Sequence, residues 1–500
     1  MIKHSSTSVD SSSSLLVPIL IPTMSTLSDD IHNPKTAHVA LFPNAGMGHL
    51  VPFLRFAALL LRRNDCRVTL ITINPTVSLA ESRLTSQFLS AFPQVTHLQL
   101  HLLPMDPATV NSSDPFWLRF EAVRRSAHLL RPLLSSTSSP VSALVHDVTL
   151  VSPLIPIAQS LSLPCYVLFS SSARMLSFIS YYPTLASGLE SSNSESNPFE
   201  DGLLRIPGIS PIYKSSIPSL LLDTNTLFAQ ILMEDSPNLS RLNGILVNSF
   251  EGLEKESVEA VNGGKVSKAL PPLFTVGPFP PFEFEKTEWS TPTGWLDQQP
   301  DGSVVYACFG SRTTLPRNQM REVGEGLVKS GYRFIWVVKD MIVDKEDDNE
   351  LSEVLGLDLI EKIKGKGLVV KQWVNQGEIL GHRAIGGFMS HCGWNSIVEA
   401  AAHGVKILAW PLHGDQGINA EVVRASGLGI WVESWGLGCG EIKSDEIGER
   451  VREFMGSELL RLRAEKILDM ASQAGGVGGS QQKSFDKLIQ EWHIKKTTKE

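Results

Sequence analysis

From His38 onward the chain alternates short, predominantly apolar runs with segments of helix length, and it does so in two series. The first series of runs covers residues 39–42, 68–73, 98–102, 143–145, 166–169 and 245–247. The second follows the Pro-rich stretch Gly277-Pro278-Phe279-Pro280-Pro281 and covers 304–308, 334–338, 368–370, 387–390, 407–410 and 430–432. Runs that are mostly apolar along their length, with only 98–102 strictly alternating, are the pattern of parallel strands covered by helices on both faces. The chain therefore predicts an α/β fold of two doubly wound, Rossmann-like domains facing across a cleft. Their expected extents are 36–271 and 297–474, with a linker over 272–296. Ligands of such sheets sit beyond the carboxyl ends of the strands, which puts the expected site in the cleft.

Composition narrows the partners. Of 500 residues, 42% are hydrophobic and 19% charged, so most of the length can bury a core. A net charge of −8 argues against the bulk phosphate attraction of nucleic-acid binders, and any anionic ligand must be held by local geometry. The five cysteines include no C-x-x-C pair, which suits a reducing compartment and neither a disulfide framework nor a structural zinc site. No apolar run reaches the roughly 20 residues of a membrane span, and a cytoplasmic monomer is expected. Residues 1–35 are read as a disordered Ser-rich leader, within which Met24 is a second candidate start of translation. At the other end Phe485, Leu488, Ile489 and Trp492 recur at helical spacing after the glycine run 475–479, so a helix within 475–500 is expected to pack back on the first domain.

Chemistry-bearing residues gather at the ends of the expected strands. The first strand leads into Pro43-Asn44-Ala45-Gly46-Met47-Gly48-His49. Gly46 and Gly48 begin a dinucleotide fingerprint, but its third glycine would fall at Val51, which argues against a Rossmann dehydrogenase. What remains is a Gly-rich turn that puts His49 at the mouth of the cleft. A general-base histidine needs a carboxylate to set its tautomer, and Asp147 ends the strand Ala143-Leu144-Val145-His146 in the same domain. Asp147 is equally placed to cap the helix that follows it. His146 points to the other face and is assigned no role.

The second domain carries Ser390-His391-Cys392-Gly393-Trp394-Asn395-Ser396 at a strand end, followed by a helical stretch. A helix N-terminus with free N–H groups beside His, Asn and Ser side chains suits a diphosphate without net positive charge. Glu399, one turn further, is placed to accept from two vicinal hydroxyls. Trp373, at another strand end, offers an indole to a flat base, and Asp415-Gln416 offer polar groups to sugar hydroxyls.

The segment from Trp373 to Gln416 resembles the nucleotide-sugar signature box of plant family 1 UDP-glycosyltransferases, and the likeness runs from about His38 to Trp492. It implies the two-domain GT-B fold and an inverting transfer. By position it implies that Trp373 stacks uracil, Gln376 bonds its edge and Glu399 holds the ribose. It assigns the diphosphate to His391, Asn395, Ser396 and Ser311, and the sugar to Trp394, Asp415 and Gln416. Gly48, Asn375 and Gly393 complete the donor set, and the closing Gln416 points to UDP-glucose. Val374-Asn375 and Lys406 depart from the family's usual Ala-Pro and Pro without removing a ligand.

Within the family, Asp114-Pro115-Phe116-Trp117-Leu118-Arg119-Phe120-Glu121, Phe309-Gly310-Ser311-Arg312-Thr313 and Trp373-Val374-Asn375-Gln376 are similar to the flavonoid C-glucosyltransferases. That likeness implies glucose transfer to a ring carbon of a phloroglucinol-type acceptor such as a 2-hydroxyflavanone or a dihydrochalcone. Phe116 and Arg119 are the expected acceptor contacts, and 116–125 and 170–182 the expected acceptor walls. UDP-glucose enters as co-substrate, with no cofactor and no metal. A phenolic O-glucosyltransferase is the alternative within the class, and a non-catalytic nucleotide-sugar-binding protein the alternative outside it.

Overall fold

The computed structural model describes residues 36–76, 78–110, 114–190, 197–285, 291–310, 314–339, 350–371, 374–436 and 438–494. The Ser-rich leader, Ser311 and Trp373 lie outside them. Two parallel sheets dominate. The first is built from β1 (Ala37–Phe42), β2 (Cys66–Asn74), β3 (Thr96–His101), β4 (Ala143–Asp147) and β5 (Cys165–Phe169). A small antiparallel pair, β6 (Leu203–Leu204) and β7 (Ile212–Tyr213), precedes its last strands, β8 (Gly244–Val247) and β9 (Leu273–Thr275). The order across this sheet is β3-β2-β1-β4-β5-β8-β9. The second comprises β10 (Val304–Cys308), β11 (Arg333–Val337), β12 (Gly367–Val370), β13 (Ile385–Ser390), β14 (Ile407–Ala409) and β15 (Gly429–Trp431), in the order β12-β11-β10-β13-β14-β15.

The apolar runs explain the layering. Along β1, Val39 and Leu41 join one hydrophobic cluster while Ala40 and Phe42 join another, so the strand is covered on both sides. Strand order reverses between β1 and β4 in the first sheet and between β10 and β13 in the second, which opens a crevice at each switch point. Register then decides what meets there. Phe42 pairs with His146, setting the turn after β1 beside Asp147. Cys308 pairs with Ser390, setting Gly310 beside His391.

The boundary expected at residue 272 falls inside the first sheet. Strand β9 pairs with β8, and Leu273 and Phe274 are buried, so the passage to the second sheet begins after Thr275. The Pro-rich stretch 277–281 follows this strand, and Pro271 and Pro272 stand at its start, where an edge strand tolerates Pro. Pro272 donates nothing there, and its carbonyl accepts from Ile245 N–H.

The final helix, Ser480–Ile494, buries Phe485, Leu488, Ile489 and Trp492 in the cluster that also holds Val39, Leu41 and Leu54. Gln481 Nε2 donates to the carbonyls of Val276 and Pro278, both at 2.9 Å, and Tyr166 OH donates to Glu491. Trp492 is fully buried. Trp492→Ala is expected to lower the unfolding free energy by about 3–5 kcal/mol, read by denaturant titration. Lys406 is also buried, its Nζ donating to Met455 O at 2.8 Å at the carboxyl end of the helix Ser444–Gly456. Burial pushes its ammonium down to about 8, and its work is to close a helix end rather than to touch a ligand. Among the described residues no helix is long and apolar enough to cross a membrane.

Candidate active site

Strand β1 turns at Gly46, whose φ of 102° is open to glycine and costly for other residues. A Cβ there would lie 2.8 Å from Phe116 Cε2, so the glycine also admits that ring. Gly46 N–H donates to Glu81, and the helix Met47–Leu61 starts at once with His49 in its first turn. His49 Nδ1 lies 2.7 Å from Asp147 Oδ2, with the imidazole about one-fifth exposed and the carboxylate fully buried. Burial alone would raise the Asp147 pKa. The His49 ring and the hydrogen bonds from Thr149 outweigh it and hold the carboxyl below its ordinary value. Asp147 does both things its position allows: Oδ2 meets His49 while Oδ1 accepts from Thr149 N–H and Oγ1–H, capping the next turn. His146 is buried, its Nε2 has no partner, and burial pushes it down to about 4, so it stays neutral in the core.

Several neighbours of this pair carry no signature in the sequence. Asn44 Nδ2 donates to Thr149 Oγ1 at 2.6 Å, and Arg124 Nη1 donates to the Thr149 carbonyl at 2.5 Å, so the turn bearing Asp147 is braced from two sides. Ser170 Oγ stands 3.2 Å from His49 Nδ1. Phe120 packs edge-on to the His49 ring at 5.2 Å, and Phe116 lies at 6.3 Å. The aromatic wall thus includes Phe116, the expected acceptor contact, and Phe120, a buried ring four residues on within the expected 116–125 wall. Arg119, one helical step from both, is half-buried and makes no hydrogen bond or ion pair among the described residues. Of the 170–182 wall, only the Ser170 end reaches the dyad. Phe178, Ile179 and Tyr182 are core, and Tyr182 OH donates to Leu221 O.

Opposite, Ser390 leads through His391 and Cys392, the latter at φ 65°, into the helix Trp394–Ala402. A non-glycine residue in that region is backbone strain held by its surroundings. No side chain caps this helix, so its first N–H groups are left for an anion. The His391 ring sits between Gly310 and Gly393, where a Cβ on either would come within 2.6 Å of Nε2. Its Nδ1 is buried without a partner among the described residues. Burial, then the neighbouring His413, push its imidazolium down to about 4 against the pull of Asp415, which makes it a neutral N–H donor at pH 7.

The other expected donor residues divide. Glu399 is buried, and its Oε2 accepts from Gln376 Nε2 at 2.7 Å; the same amide reaches Ser396 Oγ at 3.0 Å. Gln376 is therefore joined to Glu399 rather than standing apart from it. Asn395 Nδ2 donates to the Gly48 carbonyl at 3.3 Å, and a Cβ on Gly48 would meet nothing within 4 Å. Asp415 Oδ2 accepts from Ser171 and from Asn419 Nδ2.

Three side chains are committed elsewhere. The Trp394 indole is buried and donates to Asn248 O at 3.0 Å. Gln416 Oε1 closes its own turn by accepting from Leu412 and His413 N–H. Asn375 Oδ1 caps the helix Gln376–Leu380 by accepting from Glu378 N–H.

Known proteins match this architecture over most of its length. A family profile described as "UDP-glucoronosyl and UDP-glucosyl transferase" matches residues 294–446. The chain is 52% identical to UDP-glycosyltransferase 708G2 of Citrus unshiu over 92% of its own length and 98% of that protein. It is 45% identical to UDP-glycosyltransferase CGT of Oryza sativa subsp. indica, covering 91% and 97%. The crystal structure of LpCGTa in complex with UDP superposes with a TM-score of 0.79 at 41% identity, covering 91% of this chain and 99% of that one. The fold is thus GT-B, two Rossmann-like layers that work on a nucleotide-activated sugar between them. The chain belongs to the UDP-glycosyltransferases and is an enzyme of that family.

Proposed function

We propose that the enzyme is an inverting, UDP-glucose-dependent C-glucosyltransferase acting on phloroglucinol-type flavonoids such as a 2-hydroxyflavanone or the dihydrochalcone phloretin. The observation that carries the chemistry is the 2.7 Å contact from His49 Nδ1 to the buried Asp147 carboxylate. Asp147 accepts a hydrogen bond from Nδ1–H, which keeps that proton on Nδ1 and leaves the lone pair on Nε2, and the same carboxylate stabilises the imidazolium that forms. His49 removes a phenol proton, and the phenolate delocalises onto its ortho carbon. That carbon attacks the anomeric carbon from the face opposite UDP, and the bond to the diphosphate oxygen breaks as UDP leaves. The ring carbon then loses its own proton to solvent while the phenol oxygen is reprotonated, so that the ring is aromatic again and an α-linked donor yields a β-C-glucoside.

The uncapped N-terminus of the helix Trp394–Ala402 and the neutral His391 supply fixed donors to the leaving diphosphate, so this reading asks no metal of the site. We assign the ribose diol to Glu399 with Gln376, the glucose hydroxyls to Asp415 and the Trp394 main chain, and the base to Trp373. Phe116 and Phe120 are assigned to the acceptor ring. The relatives whose names carry CGT, for C-glucosyltransferase, support attack through carbon. Oxygen attack uses the same base. It has support in the 31% identity to an anthocyanidin 5,3-O-glucosyltransferase of a Rosa hybrid cultivar. Incubation with UDP-glucose and phloretin followed by hot acid separates the two: a C-glucoside survives intact, whereas an O-glucoside returns phloretin.

A further inference from the structure

Arg55 sits in the helix Met47–Leu61 among Phe53, Leu54, Phe56, Ala57 and Ala58, all buried. A guanidinium in such surroundings is tolerated only when its charge and its donors are matched. Nε and Nη2 grip Glu285 at 2.8 and 2.6 Å, a two-point fork that fixes the guanidinium plane. Nη1 then points across to Glu399 Oε1 at 2.7 Å, with both side chains less than a tenth exposed. Burial works against the charge, yet the Glu399 and Glu285 carboxylates outweigh it and keep the arginine's pKa above its ordinary value. Glu399 belongs to the helix Trp394–Ala402 of the second sheet, so the contact spans the cleft. With Gln376 on Oε2, the carboxylate is clamped from both sides, and each oxygen keeps one further acceptor site.

We propose that Arg55 is a positioning residue for the nucleotide: it holds the Glu399 carboxylate in the orientation that accepts the ribose diol, and so makes donor affinity depend on the first-sheet side of the cleft. This rests on the assignment of the ribose to Glu399 made above. Hydrogen bonds to a charged acceptor are the strong kind, and misaiming them costs roughly ten- to a hundred-fold in binding.

The test compares UDP with 2′-deoxy-UDP by calorimetry on the full chain, alongside KM for UDP-glucose and kcat. Wild type is expected to prefer UDP by at least roughly ten-fold. In Arg55→Met that preference should collapse toward unity, with KM for UDP-glucose raised by a similar factor and kcat at saturation within about two-fold. Arg55→Lys, which keeps the charge without the fork, should fall between. Should Arg55→Met fail to fold, Glu285→Gln loosens the same fork without opening an apolar cavity and is read the same way. If wild type does not distinguish the two nucleotides, the ribose assignment falls and the role of Arg55 with it. If wild type distinguishes them and the variant keeps the same ratio, the assignment stands and the inference about Arg55 is wrong, whatever the variant's stability.

Discussion

His49→Ala is expected to abolish detectable glucosyl transfer, a loss of roughly 10²–10⁴-fold or more, while UDP binds with wild-type affinity. The split follows from where the residue stands. His49 belongs to the first helix of the first sheet, beside Phe116 and Phe120, whereas the clustered donor residues hang on the second sheet. Removing the imidazole takes away the group that deprotonates the phenol, and a neutral phenol ring carbon is a poor nucleophile. The nearest donor-side contact, Asn395 Nδ2 to the Gly48 carbonyl, uses main chain of the first sheet's turn and survives the substitution. Steady-state turnover and calorimetry on the same sample read the two halves of the prediction, and near-normal turnover would refute the assignment of the base.

Asp147→Asn is expected to cost about as much as a missing general base, roughly 10²–10⁴-fold in kcat, with little change in the KM for UDP-glucose. The carboxylate only accepts hydrogen bonds, and both of its duties depend on that. Oδ2 accepts from His49, and Oδ1 from both donors of Thr149. An amide keeps one acceptor and turns the other atom into a donor. The Thr149 N–H and hydroxyl claim the oxygen, the amide NH2 faces Nδ1, and His49 is driven to the tautomer whose Nε2 carries the proton and cannot take one.

The substitution also changes acid stability in a definite sense. The folded-state pKa of Asp147 is lowered, so the group stabilises the fold above the unfolded carboxyl value and loses that contribution as pH falls through the folded one. The variant should therefore lose less stability than wild type when the pH is taken below about 4, as read by denaturant titrations at each pH.

Much of this was legible in the residues, for physical reasons that can be named. Parallel strands covered on both faces must be apolar along their whole length, so the two series stood out. The turns beyond the strand ends carry the polar chemistry, so His49, Asp147 and the stretch from His391 to Ser396 declared themselves by position. What could not be read is how each side chain spends its hydrogen bonds. Trp394 stands in the signature, but its indole is taken by Asn248, which lies 146 residues away in sequence. Gln416 and Asn375 answer to backbone N–H groups beside them. Arg55 carries the one signal that was available and passed over, a charge set in an otherwise apolar helical stretch. Its partner Glu399 belongs to the opposite sheet, a pairing no local pattern announces. The boundary was misplaced because β9 is a three-residue edge strand just before the Pro-rich stretch 277–281, and so short an apolar run does not stand out in sequence.

The central claim is that a base-generated phenolate attacks glucose through carbon with inversion. The most direct measurement is the NMR spectrum of the product formed from phloretin and UDP-glucose labelled with carbon-13 at the anomeric position. The account predicts one-bond coupling from that carbon to an aromatic ring carbon, in the β configuration. An anomeric carbon bonded to oxygen, or a product of α configuration, would contradict it.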